Sequence, residues 1–253
     1  MGYQGNIFGT FVLLLTVSCF SYGNGGLKKY APLQNFTGKT VDVRETITVG
    51  ENEIFDGNGD MYDWNGEGDC SQREGMPPMF ILLPGSTLKN LWIRGAPDGI
   101  HVKGSNIVID NIVNVDVCED AISISKSKHY VTGENIKILN SEFFHCHDKA
   151  IQLTRGTDIL IKNNEFYDCA KAVRIKEQAQ SIRFEDNRVF DARSVIKVTG
   201  GKGYAKGNFI RGSRVGFWAE KSGSLIDTGG NVFVDVIEKY RETEGGKVTI
   251  PAN

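Results

Sequence analysis

The sequence predicts an all-β fold, a parallel β-helix solenoid of about seven coils. Three observations predict it. Short apolar segments recur about every 22 residues. Each segment alternates apolar and polar positions with period two, as a half-buried strand does. Gly is frequent, 30 of 253 residues, while Pro is only 6, a balance that suits many tight turns within a folded chain. Leucine-rich repeats share the period, but their Leu-x-x-Leu-x-Leu pattern is missing, and no long run with a 3.6-residue period supports helical repeats. With 29 Lys+Arg against 31 Asp+Glu, a net charge of −2, the composition excludes a strongly basic nucleic-acid binder and an acidic disordered tail.

In chain order, residues 7–17 form an uncharged apolar run. It is too short for a bilayer span and suits the core of a secretory signal, with Ser21 and Gly23 near a cleavage point. The expected organisation is therefore a signal peptide over 1–23 and a single parallel β-helix domain over 24–253. Removal of the signal takes Cys19 with it and leaves Cys70, Cys118, Cys146 and Cys169. Four cysteines in a secreted chain favour two disulfides, with three possible connectivities. Asn35-Phe36-Thr37 is a glycosylation sequon. Residues 26–80 are expected to cap the N-terminal end and 235–253 the other.

The repeat is clearest at its strand openings. Aligning Gly99-Ile100-His101, Ala121-Ile122-Ser123, Ala150-Ile151-Gln152, Ala172-Val173-Arg174 and Ser194-Val195-Ile196 places Ile100, Ile122, Ile151, Val173 and Val195 at one inward position. The longer gap between Ile122 and Ile151 implies an inserted loop near 125–131. Residues 89–93 belong to the first coil and 216–234 to the last full one. Asn140, Asn163 and Asn187 each precede a Phe by three positions. Asn tolerates the left-handed backbone of sharp turns, and stacked Asn side chains hydrogen-bond along a column.

This register has a chemical consequence, because equivalent residues in adjacent coils stand about 4.8 Å apart. The residue before each opening is Asp98, Asp120, Lys149, Lys171 and then Arg193, with Glu119 beside Asp120. One corner thus runs from acidic to basic. An outward column holds His101, Ser123, Gln152 and Arg174. Asp98, Glu119 and Asp120 form a hard-oxygen set suited to Ca²⁺. Zinc is not suggested, since His145-Cys146-His147 puts neighbours on opposite faces of a strand. Lys149, Lys171 and Arg174 form a cationic cluster, in which a Lys loses proton affinity and becomes a usable base.

Several stretches carry a family likeness. They are Asp69-Cys70-Ser71-Gln72-Arg73-Glu74-Gly75, Asp98-Gly99-Ile100-His101, Asp116-Val117-Cys118-Glu119-Asp120-Ala121, Asp148-Lys149-Ala150-Ile151-Gln152 and Lys171-Ala172-Val173-Arg174. Over roughly residues 40–215 the chain resembles the family 3 polysaccharide lyases, the pectate lyases. The resemblance implies a right-handed parallel β-helix and Ca²⁺-dependent β-elimination of polygalacturonate. Asp98, Glu119 and Asp120 match the family's calcium carboxylates, and Lys149, Lys171 and Arg174 its basic catalytic trio. The chain departs from the family at Ala170, at Ile175-Lys176-Glu177 and at Val113-Asn114. Lys149, or alternatively Arg174, is the expected base at C5, with an alkaline optimum. The expected protein is a secreted, extracellular monomer acting on pectate, with no nucleic-acid partner and no membrane partner after signal removal. Cys146 and Cys169 fall in adjacent coils and are expected to pair, leaving Cys70 with Cys118. The rival readings are a β-helix polygalacturonase, a hydrolase using Glu119 and Asp120, and a non-catalytic polysaccharide-binding solenoid.

Overall fold

The computed structural model describes residues 32–68, 70–71, 75–125 and 133–251. Every pairing between its named strands is parallel, and all of them belong to one continuous network wound as a solenoid. A short 3-10 helix, Pro32–Asn35, precedes the first strand.

One sheet of the solenoid carries the residues of interest. Its strands run Ile47–Val49, Pro78–Leu82, Asp98–Val102, Asp120–Ile124, Lys149–Lys162, Lys171–Ala179, Ser194–Thr199, Val215–Glu220 and Glu238–Thr243, each paired to the next. The described residues thus make nine coils, where the repeat predicted about seven. The additional coils lie at the ends. Thr40–Val43 pairs with Met61–Trp64, and Ile47–Val49 with Pro78–Leu82. Lys247–Thr249 likewise pairs back on Ser224–Asp227. The segments expected to be caps are therefore largely coils. Their strands are short and lack the small-residue opening that marks the central repeats.

Inward residues explain the winding. Phe80, Ile100, Ile122, Ile151, Val173, Ile196 and Phe217 stack in register and are fully buried. Each such side chain contributes about 1.5–3 kcal/mol by leaving water. The column corrects the sequence alignment by one residue in one coil. Val173 pairs with Ile196 and not with Val195, so Ser194, not Arg193, stands opposite Lys171. A one-residue shift exchanges the two faces of a strand, so Lys197, not Ile196, continues the outward column.

The turns show a similar slip. Asn140, Asn163 and Asp186 hold positive φ, whereas the ladder is built one residue after the turn, by buried Asn164, Asn187 and Asn208 and half-buried Asn231. Asn187 thus belongs to the ladder and not with Asn163. Each ladder amide is bonded along the stack: Asn187 Nδ2 donates to Ile161 O at 3.0 Å and to Asn208 Oδ1 at 3.1 Å. Aromatic rings also stack from coil to coil, Phe143 on Phe166 at 4.9 Å and Phe144 on Tyr167 at 4.6 Å.

Both disulfides join as expected, Cys70 to Cys118 and Cys146 to Cys169. The proposed signal segment, with Cys19, lies outside the described residues, as does most of the expected insertion at 125–131. Asn35 is described and exposed.

Candidate active site

Four consecutive strands of the face sheet present the predicted residues. Asp98 and Asp120 begin two of them, and Asp120 pairs directly with Lys149, which pairs with Lys171. Gly99 follows Asp98 because nothing larger fits: a Cβ there would lie 2.2 Å from the Ala121 carbonyl oxygen. Its amide donates to Asp98 Oδ1 at 3.1 Å, fixing that carboxylate. The other Asp98 oxygen lies 2.6 Å from His101 Nε2.

Asp120 is the hub. Its side chain is 2% exposed and Lys149's 6%, with Lys149 Nζ 3.0 Å from Asp120 Oδ1. Gln152 Nε2 and Ser123 Oγ donate to Asp120 Oδ2 at 2.6 and 3.0 Å. Gln152 in turn pairs across the sheet with Arg174, and Arg174 with Lys197. The outward column His101, Ser123, Gln152, Arg174 is therefore formed as the sequence predicts.

One participant was missed. Asp148 bonds to Lys149 through one oxygen and lies 2.7 Å from Lys171 Nζ through the other. It joins two cations that would otherwise repel. Strand alternation could not reveal it. Lys149 pairs with Lys171, while Ala170 donates to Cys146 O in the turn before, so the Lys149 coil carries one residue more than its successor. Asp148 falls in that extra length. Glu119 occupies the corresponding place before Asp120, at intermediate exposure.

Electrostatics separate the members. Burial pushes the Asp120 carboxyl up to about 6, with Asp98 adding to the rise and Lys149 opposing it. Burial alone would lower the Lys149 ammonium, yet Asp120 and Asp148 together outweigh that and leave its affinity for the proton raised. This reverses the sequence expectation that cationic neighbours would make Lys149 a readier base. The carboxylates sit closer and dominate. Asp148 is held below the ordinary range: burial opposes the shift, but Lys149 and Lys171 prevail. Arg174 keeps a buried Nε with no hydrogen-bond acceptor.

Among the described residues no three His, Cys, Asp or Glu side chains converge as a metal-holding group. Asp98 and Asp120 are brought to consecutive coils, each with a protein partner in place.

A family model described as Pectate lyase matches residues 31–203. "Probable pectate lyase F" of Aspergillus flavus is 34% identical over 145 residues, covering 55% of this chain and 56% of that protein. "Probable pectate lyase D" of Emericella nidulans is 38% identical over 118 residues, covering 44% and 40%. The chain spans about half the length of the curated relatives it matches. Among solved structures, an alginate lyase from Paenibacillus sp. str. FPU-7 aligns with a TM-score of 0.48 at 10% identity, covering 87% of this chain and 93% of that one.

Proposed function

The chain belongs to the pectate lyase family, and from that premise we infer that it cleaves polygalacturonate by β-elimination with Ca²⁺ as cofactor. The observation that carries the reading is the register of Asp98, Asp120, Lys149, Lys171 and Arg174 on consecutive strands of one sheet.

The residues fit a hard divalent cation in their chemistry. Asp120 Oδ1 is buried and accepts no hydrogen bond, although Lys149 Nζ lies 3.0 Å away, which leaves a carboxylate oxygen for a cation to satisfy. Asp98, Glu119 and Asp120 would hold Ca²⁺ through carboxylate oxygens. When bound, the ion withdraws charge from a uronate carboxylate and acidifies the neighbouring C–H.

The chain's own groups supply the rest. Arg174, half-buried on the outward column, offers its guanidinium to a substrate carboxylate. Lys171, anchored by Asp148, adds a second positive charge beside it. Lys149 Nζ accepts the proton from C5. The C–H electron pair becomes the C4–C5 double bond, the C4–O bond breaks, and the departing sugar oxygen takes a proton from solvent. The product is a 4,5-unsaturated oligogalacturonide. Because Asp120 and Asp148 strengthen Lys149's hold on its proton, the free base forms only at alkaline pH. Two disulfides support secretion into an oxidising compartment.

Mass spectrometry of the products tests the reading against its hydrolytic rival. Elimination releases fragments lighter by one water than hydrolysis does. Products of hydrolytic mass would replace the lyase assignment.

A further inference from the structure

Beside the site lies a cleft of about 450 Å³ whose lining includes His147, Ala170, Arg193, Arg214 and Ile237. These five form one column along the solenoid. Ala170, Arg193, Arg214 and Ile237 donate their amides to Cys146, Cys169, Ala192 and Ser213, each in the coil before. The column passes beside Lys171, which Ala170 precedes. It runs away from Asp98 and Asp120, toward the C-terminal coils.

Two features of this column need an account. Arg193 and Arg214 are both exposed and occupy the same position on consecutive coils; Arg214 acts on Glu238 only through its charge, a carboxylate that Arg241 already holds by hydrogen bonds. Adjacent coils are about 4.8 Å apart, and like charges facing each other at that spacing are unfavourable. Of the carboxylates that line the cleft, Asp168 faces His145 Nδ1 at 3.2 Å. Second, Ile237 is 83% exposed at the far end.

The outward column offers an alternative path through Lys197, Trp218 and Arg241, but its charges are already spent. Lys197 pairs with Glu220 at 2.9 Å and Arg241 with Glu238, while both cations lie over the Trp218 ring, at 3.7 and 5.0 Å. The exposed forks are on the turn side.

We propose that Arg193 and Arg214 are accessory subsites for uronate carboxylates, carrying a de-esterified galacturonan from Lys171 along the turn column to Ile237. A chain with one carboxylate per sugar relieves the repulsion between the two guanidiniums, each of which matches a carboxylate with a two-pronged fork. Ile237 then meets the C–H face of a pyranose. The inference rests on the lyase reading for the direction of the substrate path.

The test is the Arg193→Gln/Arg214→Gln double variant, assayed on trigalacturonate and on polygalacturonate. The polymer KM rises about tenfold, while kcat and the trimer kinetics stay at wild-type values. An unchanged polymer KM overturns the proposal, and so does an equal rise on trimer and polymer. Titration calorimetry with polygalacturonate separates this failure from that of the lyase reading. Wild-type protein that binds the polymer without cleaving it defeats the lyase reading alone; affinity about tenfold weaker in the double variant then upholds the subsites, and equal affinity overturns them. Wild-type protein that neither binds nor cleaves overturns both.

Discussion

Lys149 and Asp120 stand on consecutive coils, and the lysine's ammonium lies 3.0 Å from the aspartate's carboxylate with both side chains buried. Removing one partner strands the other. Lys149→Met is expected to lower stability by about 3 kcal/mol, because an ionised carboxylate is left buried without its cation. The double variant Asp120→Asn/Lys149→Met should recover most of that loss. Urea unfolding of the two single variants and the double gives the coupling directly.

The same pair governs the response to pH. Lys149's folded pKa is raised, so its contribution to stability is fully present below the unfolded value near 10.5 and is lost as pH rises through the folded value. Activity has the opposite sign, since the base forms only as that proton leaves. Asp148→Asn removes one of the two carboxylates that raise Lys149. Its alkaline activity limb should therefore move to lower pH than in the wild type. A pH–rate profile of kcat/KM checks the direction, and a shift to higher pH would remove Lys149 as the base.

Asp120 sets a second limit. With its carboxyl near 6, it is mostly protonated below that pH, and a protonated acid is a poor calcium ligand. Calcium affinity measured by calorimetry should fall as pH drops through 6, and Asp120→Asn should flatten that dependence.

The central coils were legible because their period is regular and their inward position is always Ile or Val. Misalignment arose where that signal is degenerate. Ser194, Val195 and Ile196 are all buried, so composition cannot say which of the last two faces inward. The end coils escaped notice because strands as short as Ile47–Val49 carry too few residues to show an alternation. Asp148 was missed for a different reason: a residue that exists in one coil and not the next has no place in a periodic alignment. The raised proton affinity of Lys149 also depends on that residue, so the electrostatics were not legible either.

The Asn ladder yields a stability prediction independent of the site. Asn187 is fully buried, and its side-chain oxygen accepts the Asn164 amide at 2.9 Å while its nitrogen donates to Ile161 O. Asn187→Ala leaves both backbone groups unsatisfied and should cost about 3 kcal/mol. Thermal unfolding checks it, with Asn58→Ala at a positive-φ turn outside the ladder as the comparison.

The account stands most directly on one assay, ultraviolet absorbance against time on polygalacturonate at alkaline pH. The wild type should build up the conjugated double bond with added Ca²⁺ and stop when a chelator is present. Lys149→Ala should be slower by about 10²–10⁴-fold while its circular dichroism spectrum stays that of the wild type. Undiminished turnover in Lys149→Ala, or a wild-type rate indifferent to chelation, would contradict it.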